Sequence, residues 1–213
     1  MPRPTTQQPD RGDARTRLLE AARDIIRERG FAATSVEQLC QAAAVTKGAF
    51  FHHFASKEAL GVAAAQYWSE TTTSFFAAAP YHQPAHALER VLAYVAFRRS
   101  IIGEDLGEFT CLVGTMVQEV YATAPAIRDA CGDAILGHVA TLEADIGEAI
   151  RDRGIIPDGW TARSLAIHTQ AVLQGAFVLA KAGNDPRLAR ESVDHLERYI
   201  RLLFGCEHEG ALQ

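Results

Sequence analysis

The stretch Thr34–Leu60, TSVEQLCQAAAVTKGAFFHHFASKEAL, decides the fold of this chain. Residues that cap helix N-termini recur through it, and two of them are followed three residues later by Glu or Gln, as a capping box requires. These candidate caps are Thr34, Ser35, Thr46 and Ser56. The pattern predicts a short helix, a tight turn at Ala44-Val45, a second short helix ending near His53, and the start of a third. Such a span is typical of a helix-turn-helix.

The second of these short helices has the face pattern of a recognition helix. Residues four apart share a face, so Phe50 and Phe54 form an apolar face that we expect to be buried. The start of this helix then stays exposed and fits a major groove, where free N–H groups bind phosphate. The residues predicted to contact DNA are Thr34, Ser35, Thr46, Lys47, Gly48, Ala49, Phe51, His52 and Lys57.

An ordinary helical bundle also contains pairs of short helices, and geometry alone leaves the two interpretations nearly even. The exposed Phe51 and the adjacent histidines His52 and His53 favour binding. Lys47 and Lys57 supply positive charge for phosphates, and the missing side chain at Gly48 permits close approach to DNA.

Helical periodicity continues through the rest of the chain, and no run shows the alternation of a strand. We therefore expect an all-α fold of about nine helices. The sixth is predicted from about Gly107 to Thr123, the eighth from Thr161 to about Ala182, and the ninth from Arg187 to about Phe204.

Composition limits the possible functions. The chain of 213 residues is 48% hydrophobic and has a net charge of −5. Residues 1–60 carry nine Lys+Arg and seven Asp+Glu, or +2, and residues 61–213 carry twelve and nineteen, or −7. A mildly basic head on an acidic body argues against indiscriminate binding of nucleic acid. No apolar run reaches the length of a membrane helix and the N-terminus lacks a secretory signal, so we expect a cytoplasmic protein without a membrane partner.

Motifs for catalysis and for metals are missing from the sequence. It has no hydrolase triad order, phosphate loop, HExxH or dinucleotide fingerprint, so we expect no enzyme and no cofactor. The four cysteines are Cys40, Cys111, Cys131 and Cys206, and no two of them form a CxxC pair. We expect reduced thiols and no metal site, since Cys206 and His208 alone make a poor one.

Residues Arg15 to Leu60 closely resemble the DNA-binding head of the TetR family of bacterial transcriptional regulators. The matching segments are Gly30-Phe31, Thr34-Ser35-Val36, Ala43 to Gly48, Phe51 to Phe54 and Ser56 to Leu60. The resemblance implies an all-α homodimer, a double-stranded DNA operator and an effector pocket in the C-terminal domain. It divides the chain into a disordered arm (1–12), a helix-turn-helix DNA-binding domain (13–58), an effector-binding and dimerisation domain (59–206) and a tail (207–213).

Two residues depart from the family pattern. Ala44 stands where Gly is usual in the turn, which costs on the order of 1 kcal/mol if that residue is left-handed. Phe51 stands where Tyr is usual, and it lacks a hydroxyl that would contact phosphate. A hydrogen bond to a charged group contributes roughly 1.5–3 kcal/mol, so we expect weaker DNA binding, with Lys47 and His52 more important.

The resemblance also implies that the eighth and ninth predicted helices pair with those of a second copy. Small residues in the eighth would permit close approach, namely Ala166, Ala171, Gly175 and Ala176. The apolar stripe of the ninth would be too exposed in a monomer; it comprises Val193, Leu196, Ile200, Leu203 and Phe204. The alternative is that both helices pack only on their own core.

The unknown small-molecule effector is expected among the fourth to eighth predicted helices. The candidate pocket residues are Phe75, Phe97, Phe109, Cys111, Met116, Tyr121 and Phe177. Trp68 is expected where head meets body, and His138 and His168 are interpreted as satisfied core histidines. Cys111 precedes Leu112-Val113-Gly114, a segment similar to one in electrophile-responsive TetR-like regulators, so a thiol sensor is an alternative to a buried structural cysteine.

The sequence thus predicts a one-component transcriptional regulator. We expect a repressor that a small molecule releases from a palindromic operator, with activation as the alternative within the same class. Two further hypotheses stay open. The first is a thiol- or electrophile-responsive regulator acting through Cys111, and the second is a small-molecule binding protein with a weakened DNA-binding head.

Overall fold

The computed structural model describes residues 13–206, so the predicted arm (1–12) and tail (207–213) lie outside the described residues. In the described part the fold is all-α, with ten α-helices and no strand. The helices are α1 (Ala14–Arg29), α2 (Val36–Ala42), α3 (Lys47–His53), α4 (Lys57–Ala77), α5 (Ala87–Ser100), α6 (Leu106–Phe109), α7 (Leu112–Val120), α8 (Pro125–Asp152), α9 (Ala162–Gly183) and α10 (Arg187–Leu203). A short 3-10 helix, Pro80–His82, precedes α5.

Side-chain caps fix the starts of the first four helices. The Asp13 carboxylate accepts the Thr16 N–H at 2.8 Å and opens α1. Ser35 and Gln38 form the capping box of α2, and the hydroxyls of Thr46 and Ser56 accept the N–H groups that open α3 and α4. Each cap satisfies donors that the first turn of a helix leaves free, so local sequence determines these boundaries.

The head forms its core around Phe50, which is completely buried. Leu18 and Ile26 of α1, Leu39 of α2 and Leu60 of α4 join it in one cluster. This cluster continues into α7 and into the first turns of α8. The head is therefore packed directly on helices that lie more than 50 residues beyond it in sequence.

The body is organised around α8, the longest helix, which packs against α4, α5, α7 and α9. The second core cluster is made by the second half of α8 with α5, α9 and α10. Because α4 runs from the head core to the aromatic residues of the body, it is a rigid connection between the two.

The sixth predicted helix is two helices in the structure. The backbone is extended at Thr110 and Cys111, which separates α6 from α7. The buried Arg27 side chain donates from Nε to the Thr110 carbonyl at 2.7 Å, so that carbonyl already has a partner in place of a helical one. Cys111 then begins α7 by accepting the Gly114 N–H on its sulfur. The contact spans 83 residues, which is why local periodicity did not indicate the break.

Within residues 13–206, no helix combines the length and the apolar character that crossing a membrane requires.

Candidate DNA-binding surface and ligand cavity

The exposed side of α3 forms a compact polar surface at the tip of the head. Thr46, Lys47, Gly48 and His52 are exposed, and half of the Phe51 side chain is accessible to solvent. Phe50 and Phe54 lie beneath them with ring centroids 5.8 Å apart, which anchors the helix to the head. The predicted division between a buried aromatic pair and an exposed face is therefore found in the structure.

Lys47 is held in place by Glu37 of α2, with Nζ 2.5 Å from Oε1. The hydrogen bond from Lys47 lowers the pKa of the Glu37 carboxyl, and the same bond raises the pKa of Lys47. Both side chains are mostly exposed, so this pair is screened by water and easily exchanged. A phosphate oxygen of DNA would take the place of the Glu37 carboxylate oxygen beside Lys47, because both oxygens carry negative charge.

Neither the backbone conformation nor the packing of the described chain requires glycine at position 48. Its φ angle is not positive, and a Cβ atom built there meets only the Thr46 hydroxyl, 3.8 Å away. Alanine would suit the helix at least as well. The packing of the described chain therefore does not explain the glycine, and the contact of Gly48 with DNA stays a prediction.

Several predicted DNA-contact residues have structural roles. Thr34 is 1% exposed, and its hydroxyl donates to the Gly30 carbonyl at 2.6 Å, so it has no surface to offer DNA. Ser35 provides the capping box in its place. Lys57 is half-buried, with Nζ 3.3 Å from the Ala32 carbonyl and 4.6 Å from the centre of the Phe31 ring. Burial lowers the pKa of Lys57, and its contacts fix the loop between α1 and α2.

A cavity of about 780 Å³ opens between the head and the body. Its walls come from α1, α4, α5, α8 and α9 and from the segment around α6. Three of the predicted aromatic residues line it, namely Phe75, Phe109 and Phe177, and so does Cys111. Trp68 also lines it and receives the Arg27 guanidinium over its ring at 5.2 Å, so Trp68 does lie between head and body.

Three predicted pocket residues do not line this cavity. Met116 is fully buried in the head-side core, because α7 turns that face toward α1 and α8. Tyr121 is 61% exposed just after α7 ends. Phe97 packs behind the wall, with its ring 5.5 Å from that of Phe75. Helical spacing identified apolar residues but did not determine which side of the core each one faces.

Sequence reasoning missed the polar part of the cavity. The polar groups meet at the hydroxyl of Tyr94, which is buried behind the wall: it lies 2.8 Å from His138 Nε2, 3.1 Å from Gln170 Nε2 and 3.1 Å from Arg98 Nη1. Burial, and next the charge of Arg98, lower the pKa of His138 to about 4. His138 is thus satisfied, as predicted, but it lies in the cavity wall. Arg98, an arginine within an apolar helix face, was the available signal.

Cys111 lies at the cavity wall and at the start of α7, and it is partly exposed. Its sulfur accepts the Gly114 N–H at 3.4 Å. Cys40 and Cys131 are buried. The role of Cys111 as a sensor stays a prediction.

Contacts at the end of α1 join the head to the body. The Lys181 ammonium of α9 donates to the Arg27 carbonyl at 2.7 Å, and Glu119 of α7 accepts the Ala32 N–H at 2.7 Å. Arg27 itself binds the Thr110 carbonyl and lines the cavity. A molecule in the cavity would therefore touch the helix that supports α2 and α3.

Comparison with known protein families agrees with this architecture. The family model described as bacterial regulatory proteins of the tetR family matches residues 18–64. The model of the tetracyclin repressor-like C-terminal domain matches residues 87–196, which is more than half of the chain. This chain belongs to the TetR family. TetR-family regulators bind DNA operators and typically act as dimers.

Two TetR-family regulators of Escherichia coli are similar to this chain over a short stretch. The HTH-type transcriptional regulator UidR of Escherichia coli (strain K12) is 50% identical over 46 residues, which are 22% of this chain and 24% of UidR. The HTH-type transcriptional repressor NemR of the same strain is 43% identical over 51 residues, which are 24% of this chain and 26% of NemR. The match thus spans about a quarter of the length of these relatives.

The likeness to solved TetR-family structures extends over nearly the whole chain. A TetR-family transcriptional regulator from Agrobacterium tumefaciens has a TM-score of 0.76 at 19% identity, over 87% of this chain and 96% of that one. At this identity the likeness concerns the fold.

The turn of this TetR-family head is strained at one residue. Ala44 has a φ angle of 52°, so it occupies the left-handed region where the sequence pattern of the family has Gly. Its conformation lets Val45 N–H reach the Cys40 carbonyl at 2.9 Å and close the end of α2. The energetic cost expected for alanine in a left-handed turn therefore applies here.

The outer face of α9 and α10 is apolar, and of the residues predicted for the dimer contact only Ala171 and Gly175 lie on it. Val193, Leu196, Ile200 and Phe204 of the predicted stripe are buried in the chain's own core, as are Ala166 and Ala176. The exposed stripes lie on the opposite sides. They comprise Ile167, Ala171, Gly175 and Leu179 on α9, and Leu188, His195, Tyr199 and Leu202 on α10.

His168 also belongs to this outer face. It is exposed, with its ring 5.2 Å from that of Tyr199, so the interpretation as a core histidine is wrong. The heptad-like spacing of the exposed α10 residues is typical of helices that pack against further helices.

Proposed function

We propose that this protein represses transcription by binding a palindromic DNA operator as a homodimer, and that a small molecule in the cavity releases it. The observation that carries the proposal is the surface of α3. It combines an exposed N-terminal turn, a glycine with no internal purpose and a lysine held only by an exchangeable ion pair. Repression is supported by the name of the relative NemR, a transcriptional repressor.

Two recognition helices of a dimer would enter successive major grooves about 34–36 Å apart. The test is a gel-shift assay at stated salt, with an operator selected from random DNA by the wild-type protein. We expect Lys47→Ala and His52→Ala to weaken binding without changing the fold measured by circular dichroism. Unchanged affinity for both variants would contradict these roles.

Gly48→Ala separates DNA binding from stability. A methyl group fits within the chain, and alanine favours a helix by up to about 1 kcal/mol over glycine, so the fold should be at least as stable. The same methyl group would collide with a DNA backbone and weaken operator binding. Gly137→Ala, in open space on α8, is the matched control and should leave DNA binding unchanged. If no sequence-selective DNA binding is found for the wild type, the alternative of a binding protein with a weakened head gains support.

The homodimer would form through the outer apolar face of α9 and α10. Exposed Ala171 and Gly175 permit close approach of helix backbones, and the larger apolar residues beside them are too exposed for a stable monomer. We expect Leu202→Lys to shift sedimentation equilibrium toward monomer, because Leu202 is 75% exposed within this face. Ile156→Lys, an exposed apolar residue in the loop before α9, should leave the dimer intact. A dimer that resists Leu202→Lys together with Leu179→Lys would contradict this interface.

The small-molecule effector would bind in the cavity of about 780 Å³, which is within the size range of drug-sized ligand sites. A ligand that prefers one geometry of the dimer shifts DNA affinity by no more than its difference in affinity for the two geometries. Thermal-shift screening of a metabolite and electrophile panel identifies candidates. Cys111→Ser distinguishes the thiol-responsive alternative, because only covalent effectors would lose their effect in that variant.

A further inference from the structure

Arg98 is a cation without an anion. It lines the cavity from α5, and aromatic rings surround its guanidinium: the carbon Cζ lies 5.1 Å from the centre of the Phe76 ring and 6.0 Å from that of Phe177. Within residues 13–206 no carboxylate forms an ion pair with it. A charged group in apolar surroundings is normally paired with an opposite charge, and Arg98 lacks such an anionic partner.

The hydrogen-bond donors of Arg98 are also mostly unused. Only Nη1 donates to the protein, to the Tyr94 hydroxyl at 3.1 Å. Nε is shut off from solvent and has no acceptor in the described chain, and Nη2 has no hydrogen bond there either. A guanidinium offers its donors in a planar fork that fits a carboxylate. Two of the three guanidinium nitrogens of Arg98, Nε and Nη2, thus have no acceptor in the described chain.

The neighbours of Arg98 hold it in position and add no negative charge. The Tyr94 hydroxyl accepts hydrogen bonds from Arg98 and Gln170, which leaves its own proton for His138 Nε2 at 2.8 Å. His138 is then a neutral ring that accepts from tyrosine. Tyr94, Gln170 and His138 contribute an uncharged phenol, an amide and an imidazole. None of these three groups neutralises the positive charge of Arg98 at the inner wall of the cavity.

Among residues 13–206, the acidic residues that line the cavity lie at its rim. Asp24, Glu28, Asp105 and Glu108 line it, but all four are exposed. Asp24 is paired with Arg23 at 2.7 Å, and Asp105 caps α6 by accepting the Gly107 N–H. Water therefore screens the charges at the rim more strongly than the charge of Arg98, which is partly buried among aromatic rings.

We propose that the cavity takes an organic anion: an aromatic or otherwise apolar carboxylate whose charged end binds Arg98. The apolar body of the ligand would lie against Phe75, Phe109 and Phe177, which face the same space. This inference rests on the proposed function only in taking the cavity as the effector site. It narrows the effector class from any small molecule to apolar acids, and it excludes apolar cations from the inner wall.

The experiment compares two fluorescent probes on the full-length protein. 1-Anilinonaphthalene-8-sulfonate is an aromatic anion, and N-phenyl-1-naphthylamine has the same ring system without the charge. We expect Arg98→Gln to weaken binding of the anionic probe about tenfold or more, as the loss of a charge-assisted hydrogen bond implies, and to leave the neutral probe within about twofold. Arg99→Gln is the matched control, because Arg99 is exposed and paired with Asp194.

Equal effects of Arg98→Gln on both probes would mean that Arg98 only shapes the cavity, and the proposal would be overturned. A second measurement needs no variant: on the wild type, 2-naphthoate should displace the anionic probe at concentrations at least about tenfold lower than 2-naphthamide does. Equal displacement would overturn the proposal even if Arg98→Gln did not fold. Neither readout involves DNA, so failure of operator binding would contradict the proposed function and leave the anion site to be judged by its own result.

Discussion

At the scale of single residues, Ala44 has a side chain that does not suit its left-handed backbone conformation. The left-handed conformation of Ala44 lowers the free energy of unfolding by about 1–2 kcal/mol. Glycine at this position would remove that strain but would lower the free energy of unfolding by about 0.4–1 kcal/mol, because it gives the unfolded chain more conformational freedom. The first effect is larger. We therefore expect Ala44→Gly to raise the free energy of unfolding by about 0.5–1 kcal/mol in urea titrations.

Ala42→Gly is the control for that substitution, since Ala42 is exposed at the helical end of α2 and has a negative φ angle. It should lower stability by up to about 1 kcal/mol. If both substitutions destabilise the protein equally, the turn is not strained at Ala44.

His138 gives the stability of the protein a pH dependence. Its pKa is lowered to about 4 in the folded chain, from an ordinary value of 6.5. Between these values the unfolded state binds the proton and the folded state does not, so acid favours unfolding. From pH 7 to pH 5 the free energy of unfolding should lose on the order of 1–2 kcal/mol through this residue.

The measurement is urea unfolding at several pH values. His138→Gln should flatten the fall in stability between pH 7 and pH 5, whereas His86→Gln, at an exposed histidine before α5, should not. A profile that is the same for His138→Gln and wild type would show that His138 is protonated without penalty in the folded state.

At the scale of helices, local sequence predicted the starts well and one interruption poorly. The caps at Ser35, Thr46 and Ser56 act on N–H groups three residues away, so their neighbours in sequence were sufficient to predict them. The break at Thr110 depends on Arg27, 83 residues earlier, and no window of sequence contains both.

The same limit applies to the cavity and to α10. Aromatic residues such as Phe75 and Phe177 were recognisable as pocket candidates because apolar side chains mark a helix face. Arg98 and His138 acquire their roles only when α5 and α8 pack together. On α10, both faces carry apolar residues, and the choice of the inner one depends on the fit against α9.

The crossing of α4 with α8 depends on Gly61. A Cβ atom there would lie 2.8 Å from Ile127 Cδ1 and 2.8 Å from Phe31 Cε2, which is too close for either neighbour. Overpacking costs about 1–3 kcal/mol, which exceeds the gain of up to about 1 kcal/mol in helix propensity. We expect Gly61→Ala to lower the free energy of unfolding by roughly 1–2 kcal/mol in urea. Gly132→Ala, in open space on α8, should not lower it, and equal stabilities for the two variants would contradict this close packing.

At the scale of the whole molecule, the head and the body are joined where the cavity is. Arg27 lines the cavity with its side chain and binds Lys181 with its carbonyl, so one residue of α1 contacts both the ligand space and α9. Burial lowers the pKa of Lys181, and its ammonium also lies 3.4 Å from the Thr115 hydroxyl. A ligand in the cavity would therefore act directly on α1, the helix against which α2 and α3 pack.

The coupling between ligand binding and operator binding tests the role of α1, because such a coupling must be reciprocal. If a ligand weakens operator binding by some factor, the operator must weaken ligand binding by the same factor, commonly about 5–150-fold. We expect Lys181→Met to bring both factors toward one, since α1 then loses its bond to α9 while the cavity wall keeps Arg98. The two affinities are measured by fluorescence titration with and without the operator. Arg99→Gln, at an exposed residue paired with Asp194 of α10, should preserve the coupling. A coupling factor that Lys181→Met leaves unchanged, in a variant with native circular dichroism, would mean that the signal reaches the head through α4 instead.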